Sequence, residues 1–217
     1  MKGMKIYDIS RPIGRGEPVY PGNEAPSLTR IKVFSKDKSN LSALSMGLHT
    51  GSHLDAPLHY LKNGKTIDKL VLEKCVGWCR VINFENVKEE IGELEIKRIK
   101  PKAGEIILFK TKNSCLAGRQ ARQTKSKRFN KNFVYLNESG ARFLVKSKIK
   151  AVGIDGPSIR KFRLKPDTVH PMLLKAGIGV YEGLYFREVK PGRYFFIGLP
   201  LKIKGAEASP VRAVLIK

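Results

Sequence analysis

Apolar and polar positions alternate through the first part of the chain and give way, toward the centre, to short continuous apolar runs. Residues 5–9 read as a first strand stopped by Ser10-Arg11-Pro12, and residues 14–26, rich in glycine and proline, as a loop. Residues 29–34 and 41–48 alternate well enough to be strands. A turn is expected at 67–70, a strand at 77–84, a short amphipathic stretch at 90–99 and a strongly apolar strand at 105–111. The clearest helix is 138–146: Asn137 suits its N-cap, and Ala141, Phe143, Leu144 and Val145 supply an apolar face. Residues 151–154 form a buried strand running into Asp155-Gly156-Pro157-Ser158. A short helix follows at 171–175, with Pro171 in its first turn and Gly177 past its end. Strands at 178–181, 194–199 and 211–216 complete the pattern. Strands outnumber helices, which predicts an α/β protein with a mixed sheet. No repeat or low-complexity linker divides the 217 residues, so one domain spanning 1–217 is expected.

Composition changes this picture little. Hydrophobic residues at 41% and charged residues at 28% exclude a disordered chain. The N-terminus turns polar at once, so no secretory signal is expected, and no run reaches the ~18 apolar residues a membrane span needs. The cysteines, Cys75, Cys79 and Cys115, are odd in number and sparse; they read as buried thiols of a reducing compartment, which predicts a cytoplasmic protein. Cys75 and Cys79 make a weak metal pair, having a three-residue spacer and no histidine nearby.

The formal net charge of +23 favours anions and non-specific contact with nucleic acid. Lysine and arginine are spread along the chain, often beside glutamate, as in Lys88-Glu89-Glu90, so the surface reads as solvated and ion-paired. Residues 119–131 are purely basic and read as a surface loop, with a lid or an anion-steering segment as the alternative. No nucleic-acid motif appears, and Phe129 is the only aromatic residue in that segment.

Chemistry concentrates in one run. Three of the four histidines fall in His49-Thr50-Gly51-Ser52-His53-Leu54-Asp55-Ala56-Pro57-Leu58-His59, with an aspartate among them. Imidazole and carboxylate hold zinc, manganese and related divalent ions. Gly51 and Pro57 argue against a helix here. In an extended segment His53 and Asp55 project to one side, and a turn at Gly51 lets His49 join them. The fourth histidine, His170, precedes Pro171, and Glu182 interrupts the apolar stretch Ile178-Gly179-Val180-Tyr181. A carboxylate facing an apolar interior costs several kcal/mol unless something compensates it, whereas an exposed strand end would explain Glu182 equally well.

These residues resemble the cyclase-like metal-dependent hydrolases, the group of bacterial kynurenine formamidase. The signature His-x-Gly-Thr-His-x-Asp-x-Pro-x-His is met at every fixed position except that Ser52 stands for threonine. Tyr7-Asp8-Ile9-Ser10, Tyr20-Pro21-Gly22, Gly153-Ile154-Asp155-Gly156-Pro157-Ser158, Glu182-Gly183-Leu184 and Ala208-Ser209-Pro210-Val211-Arg212 extend the likeness over nearly the whole chain. Asn23 departs from it, standing where aspartate is frequent, and so bears on the substrate pocket.

The resemblance implies a swivelling β/β/α fold, a homodimer, and one or two divalent ions per chain, zinc first and manganese second. His49, His53 and Asp55 would hold one ion, and Asp55 would bridge to a second held by His170 and Glu182. His59 would be the unligated acid/base. The implied reaction is metal-dependent hydrolysis of an N-formyl arylamine such as N-formylkynurenine, in tryptophan catabolism. Metal-bound water, acidified to a pKa of about 7, would supply the attacking hydroxide, and formate would be released. Hydrolysis of a cyclic amide, an isatin-like lactam, is the alternative within the family. A basic nucleic-acid-associated protein with a structural ion is the alternative outside it. Thr50 and Ser52 are expected to orient the ligands by hydrogen bonds. Tyr20, Phe34, Tyr60 and Trp78 are candidates for core or pocket.

Overall fold

The computed structural model describes residues 3–14, 17–114 and 129–217. The basic segment 119–131 therefore lies outside the described residues except for its last three, and so does Cys115. With strands and helices numbered in chain order, the central element is a nine-stranded mixed sheet. Its order is β1 (Ile6–Asp8), β13 (Val214–Ile216), β11 (Gly192–Ile197), β5 (Val76–Phe84), β7 (Ile106–Thr111), β9 (Ala151–Ile154), β10 (Gly179–Glu182), β4 (His53–Asp55), β12 (Ala208–Pro210). The pairs from β5 through β10 are parallel and the outer pairs antiparallel.

The continuous apolar run of β7 follows from its position. Both faces are covered, so every residue from Ile106 to Thr111 is buried. Ile106 and Leu108 join a core with Leu54, Val81, Tyr181, Phe196 and Leu215 on one side of the sheet. Ile107 and Phe109 join Val152, Ile154 and Val180 on the other side, beneath the helices α2 (Glu93–Ile99), α3 (Glu138–Lys146) and α4 (Val169–Lys175). Each such side chain contributes ~1.5–3 kcal/mol of burial. Asn137 caps α3 as its sequence predicts: its side-chain oxygen accepts from the Gly140 amide at 3.0 Å, an interaction worth ~1 kcal/mol.

Some elements depart from the pattern. Residues 29–34 and 41–48 do give strands, β2 (Ser27–Lys32) and β3 (Leu41–Ser45), but these pair as a separate hairpin in which every residue is exposed. Alternation there marks no face buried by the described chain. Phe34 leaves the strand for the one-turn helix α1 (Phe34–Asp37). Phe34 and Trp78 are 62% and 58% exposed, so neither belongs to core or pocket. The helix α4 starts two residues before Pro171, and of residues 211–216 only the last three form a strand. Among the described residues no helix is long and apolar enough to cross a membrane.

Candidate metal centre

Two adjacent strands and one short helix build the site. In the antiparallel pair of β10 and β4, Glu182 lies opposite His53 and Val180 opposite Asp55, so the two acids and His53 share one side of the sheet. Gly51, at φ +68°, turns the chain ahead of β4 and brings His49 back over it. His49 Nδ1 then lies 2.9 Å from Asp55 Oδ1. A second turn at Gly183, φ +66°, packs against the first, and a Cβ there would overlap the Gly51 carbonyl oxygen. The helix α4 delivers His170, whose Nε2 is 2.9 Å from Glu182 Oε1 and 3.6 Å from Asp55 Oδ2. A 3-10 turn, Pro57–His59, carries His59 to a ring-centroid distance of 4.0 Å from His49 and 5.8 Å from His170. All six residues singled out in the sequence therefore converge. Glu182 is 4% exposed, which removes the reading of it as a solvent-facing strand end.

The donor set fits a divalent cation. His49 Nε2, His53 Nε2 and both oxygens of Asp55 are buried and have no hydrogen-bond partner, although an unpartnered buried acceptor is costly. His53 donates from Nδ1 to the Gly51 carbonyl at 3.0 Å, which leaves Nε2 to face Glu182 at 3.4 Å. Among the described residues, ligand atoms of His49, Asp55 and His59, and again of His53, Asp55 and Glu182, lie within 4.8 Å of one another. Asp55 belongs to both groups, the arrangement expected of a carboxylate shared by two ions.

Electrostatics agree with the geometry. Burial opposes charge on His170, yet hydrogen bonds to Asp167 and Glu182 override it and hold its pKa at about 10. Burial likewise opposes charge on His53, and Glu182 and Asp55 raise it nonetheless. Burial and the Glu182 charge push Asp55 up, but His49 and His53 bring it below its ordinary value. Two buried carboxylates thus favour protons on His53 and His170, where a divalent ion would supply the positive charge instead. His59 behaves differently: burial, aided by His49 and His170, lowers it to about 4 against the pull of Asp55. It is therefore neutral at pH 7, as a weak base.

The supporting residues were mostly invisible in the sequence. Glu182 Oε1 accepts from Ser158 Oγ at 3.1 Å and from the Ile159 amide at 2.5 Å. Ser52, expected to orient the ligands by hydrogen bonds, instead pins the turn, donating to the Gly183 carbonyl at 2.6 Å while accepting from the Arg11 amide at 2.9 Å. Thr50 does neither; its hydroxyl is buried without a hydrogen-bond partner. Arg11, which no sequence signal marked, clamps the turn by donating to the carbonyls of Gly183 and Asp155 at 3.1 and 2.7 Å. The buried Asp155 carboxylate in turn accepts from the backbone and hydroxyls of Thr111 and Ser114. Asp167 was missed too: its Oδ2 is 2.8 Å from His170 Nδ1. Tyr60 stacks on the His170 ring at 4.7 Å and 7°. The sequence hints of these groups were Thr50 and Ser52 within the histidine run, Tyr60 as a pocket candidate and the motif around Asp155 and Ser158.

A cleft with a volume of about 110 Å³ adjoins the centre at His49, Thr50 and Gly51. Arg11, Tyr20, Phe129 and Phe133 line it further out, and Tyr20 meets Phe129 edge-on at 5.2 Å. Asn23 is exposed on the turn beyond Tyr20 and takes no part in the cleft wall. Cys75 and Cys79 are buried free thiols away from these groups.

Known proteins resemble this chain in sequence and fold over nearly its full length. The kynurenine formamidase of Salinibacter ruber is 33% identical over 214 residues, covering 98% of this chain and 97% of that protein. Among solved structures, a predicted metal-dependent hydrolase from Bacillus stearothermophilus has 34% identity and a TM-score of 0.85, with 99% and 98% of the two chains covered. Isatin hydrolase A from Ralstonia solanacearum, at 20% identity, has the same fold with a TM-score of 0.82 over 98% of this chain and 92% of that one. The Cyclase family model matches residues 7–161, a span that includes the whole histidine run and the Asp155 loop. With the motif, the sheet and the converging ligand groups in one frame, this chain belongs to the Cyclase family.

Proposed function

We propose that the protein is a metal-dependent amide hydrolase that releases formate from an N-formyl arylamine, with N-formylkynurenine as the leading substrate. One observation carries this reading: buried imidazole and carboxylate atoms without hydrogen-bond partners converge on Asp55, beside a cleft that His49 shares with Tyr20, Phe129 and Phe133. The near full-length identity with a kynurenine formamidase supports the reaction class. Imidazole and carboxylate donors suit zinc, with manganese second. His49, His53 and Asp55 are assigned to one ion, and Asp55, His170 and Glu182 to another. A divalent ion in such a site acidifies water and polarises a carbonyl. His59 takes up a proton on its neutral imidazole and returns it to the departing amine. Tyr20, Phe129 and Phe133 form a wall on which an aryl group can lie.

That substrate belongs to tryptophan catabolism, and the free thiols of Cys75 and Cys79 suit the reducing cytoplasm. We assign a homodimer, with the β2–β3 hairpin at its interface. Leu28, Phe34 and Leu44 are 66%, 62% and 54% exposed there, and a two-stranded hairpin with no buried face is marginally stable alone.

Metal analysis followed by a panel of formamides and lactams, with and without chelator, tests the reading. Hydrolysis of N-formyl arylamines, lost to chelator and restored by zinc, is the expected result. Preference for an isatin-like lactam would move the substrate to the cyclic alternative. Chelator-resistant turnover, or a purified protein that binds no divalent ion and stays inactive when zinc is supplied, would reject the hydrolase centre itself.

A further inference from the structure

We propose that Asp167 is the positioning residue that sets how tightly His170 holds an ion, an inference that rests on the metal centre proposed above. The imidazole of His170 is gripped on two sides. On its edge, Nδ1 meets Asp167 Oδ2 at 2.8 Å; on its face, the Tyr60 ring lies parallel at 4.7 Å. Asp167 is itself held. Arg160 Nε reaches the same Oδ2 at 2.6 Å, and the Tyr60 hydroxyl hydrogen-bonds the carboxylate. Arg160 is anchored in turn by donating to the carbonyls of Lys161 and Leu164 at 3.1 and 2.8 Å.

This arrangement decides where the imidazole proton sits. A carboxylate at Nδ1 keeps one proton there; Nε2 in this structure donates a second to Glu182 Oε1 at 2.9 Å, and where an ion took that proton's place the negative charge behind the ring would make Nε2 a stronger ligand. His53 provides the internal contrast. Its Nδ1 faces only the neutral Gly51 carbonyl, at 3.0 Å. The two imidazoles are therefore unequal ligands, and Asp167 is the source of the difference. Tyr60 also ties this clamp to the catalytic candidate, since its ring meets that of His59 edge-on at 4.4 Å.

Asp167 also supports the backbone, because its Oδ1 accepts from the amides of Val169 and His170 at 3.1 and 3.2 Å at the start of α4. The variant Asp167→Asn separates the two roles. It keeps an acceptor for those amides but turns an NH2 group toward His170 Nδ1, which forces the imidazole proton onto Nε2. Tyr60→Phe keeps the stacked ring and removes only the hydroxyl.

The test strips metal from the purified full chain and titrates zinc back against a chromophoric chelator. For Asp167→Asn, affinity for at least one equivalent should fall by ~10–100-fold, with activity recovering as zinc is raised. Tyr60→Phe should shift affinity the same way by a smaller factor. Wild-type affinity in a folded Asp167→Asn protein overturns the proposal. Should that variant fail to fold, wild-type affinity in Tyr60→Phe overturns it. A wild-type protein that binds no zinc would reject the metal centre, and the clamp with it, a result distinct from unequal binding between wild type and variants.

Discussion

Asp55 and Glu182 are both buried, yet their surroundings compensate them differently. Glu182 Oε1 receives Ser158, Ile159 and His170, whereas neither oxygen of Asp55 receives an aligned hydrogen bond. The unmet acceptor is the atom at which a cation has most to offer. His59 is neutral and has a ligand atom within 4.8 Å of those of His49 and Asp55, but the proposed ions are assigned to the other five residues. His59→Ala should therefore retain zinc while kcat falls by ~10² or more, and equal turnover would remove His59 from proton transfer. His170 gives a pH prediction for the metal-free protein. Its pKa is raised from 6.5 to about 10, so its stabilising contribution is complete below the unfolded value and disappears as pH rises through the folded one. Melting temperatures of chelator-treated protein should fall between about pH 6.5 and 10 on account of this group. Zinc affinity should rise over the same window as ligand protons leave. A chelated protein equally stable across that range would contradict the hydrogen bonds drawn around His170.

At the scale of elements, the site depends on two tight turns set back to back. Gly51 precedes β4 and Gly183 follows β10, and the hydroxyl of Ser52 and the side chain of Arg11 both reach the Gly183 carbonyl. Gly183→Ala would combine a disfavoured left-handed φ with overlap against Gly51, separating Glu182 from His53. The expected cost is ~1–3 kcal/mol of overpacking beyond the backbone penalty, together with weaker zinc binding. Gly104→Ala is the control: φ is +74° there with open space around it, so only the backbone penalty applies. Urea denaturation of the two variants should rank Gly183→Ala as the more damaging. The reverse order would show that the turn tolerates a side chain.

Across the whole molecule, the helices cover one stretch of the sheet and leave the β2–β3 hairpin uncovered by the described chain. If a second copy covers it, Leu28→Glu with Leu44→Glu should reduce the mass measured by light scattering from dimer to monomer. A wild-type protein already monomeric at high concentration would reject this interface. The net charge of +23 acts at the same scale. Contact with DNA should be non-specific and fall steeply with salt, as counterion release requires, leaving hydrolysis at the buried centre to be measured in salt without that interference.

How much could be read in advance depended on how local the physics is. The histidine run was legible because its ligand types are packed into eleven residues, and Asn137 because a cap acts three residues away. Glu182 left a local mark by breaking an apolar strand, while its pairing with His170 and Asp55 came only from resemblance. Asp167 and Arg160 left none, and Tyr60 was only a candidate for core or pocket: such residues near a loop are ordinary, and only the packing of α4 against the Pro57–His59 turn sets Tyr60 on His170. The hairpin strands were legible from their alternation, but their exposure was not, because alternation records which face could be buried and not what covers it. By itself the sequence determined which atoms are chemically able to hold a cation and which segments form strands, because both follow from residue type and short-range geometry. The tertiary structure alone decided which imidazole has a carboxylate behind it, which hydroxyl has no partner and which apolar face stays open, because those depend on groups distant along the chain meeting within a few ångströms.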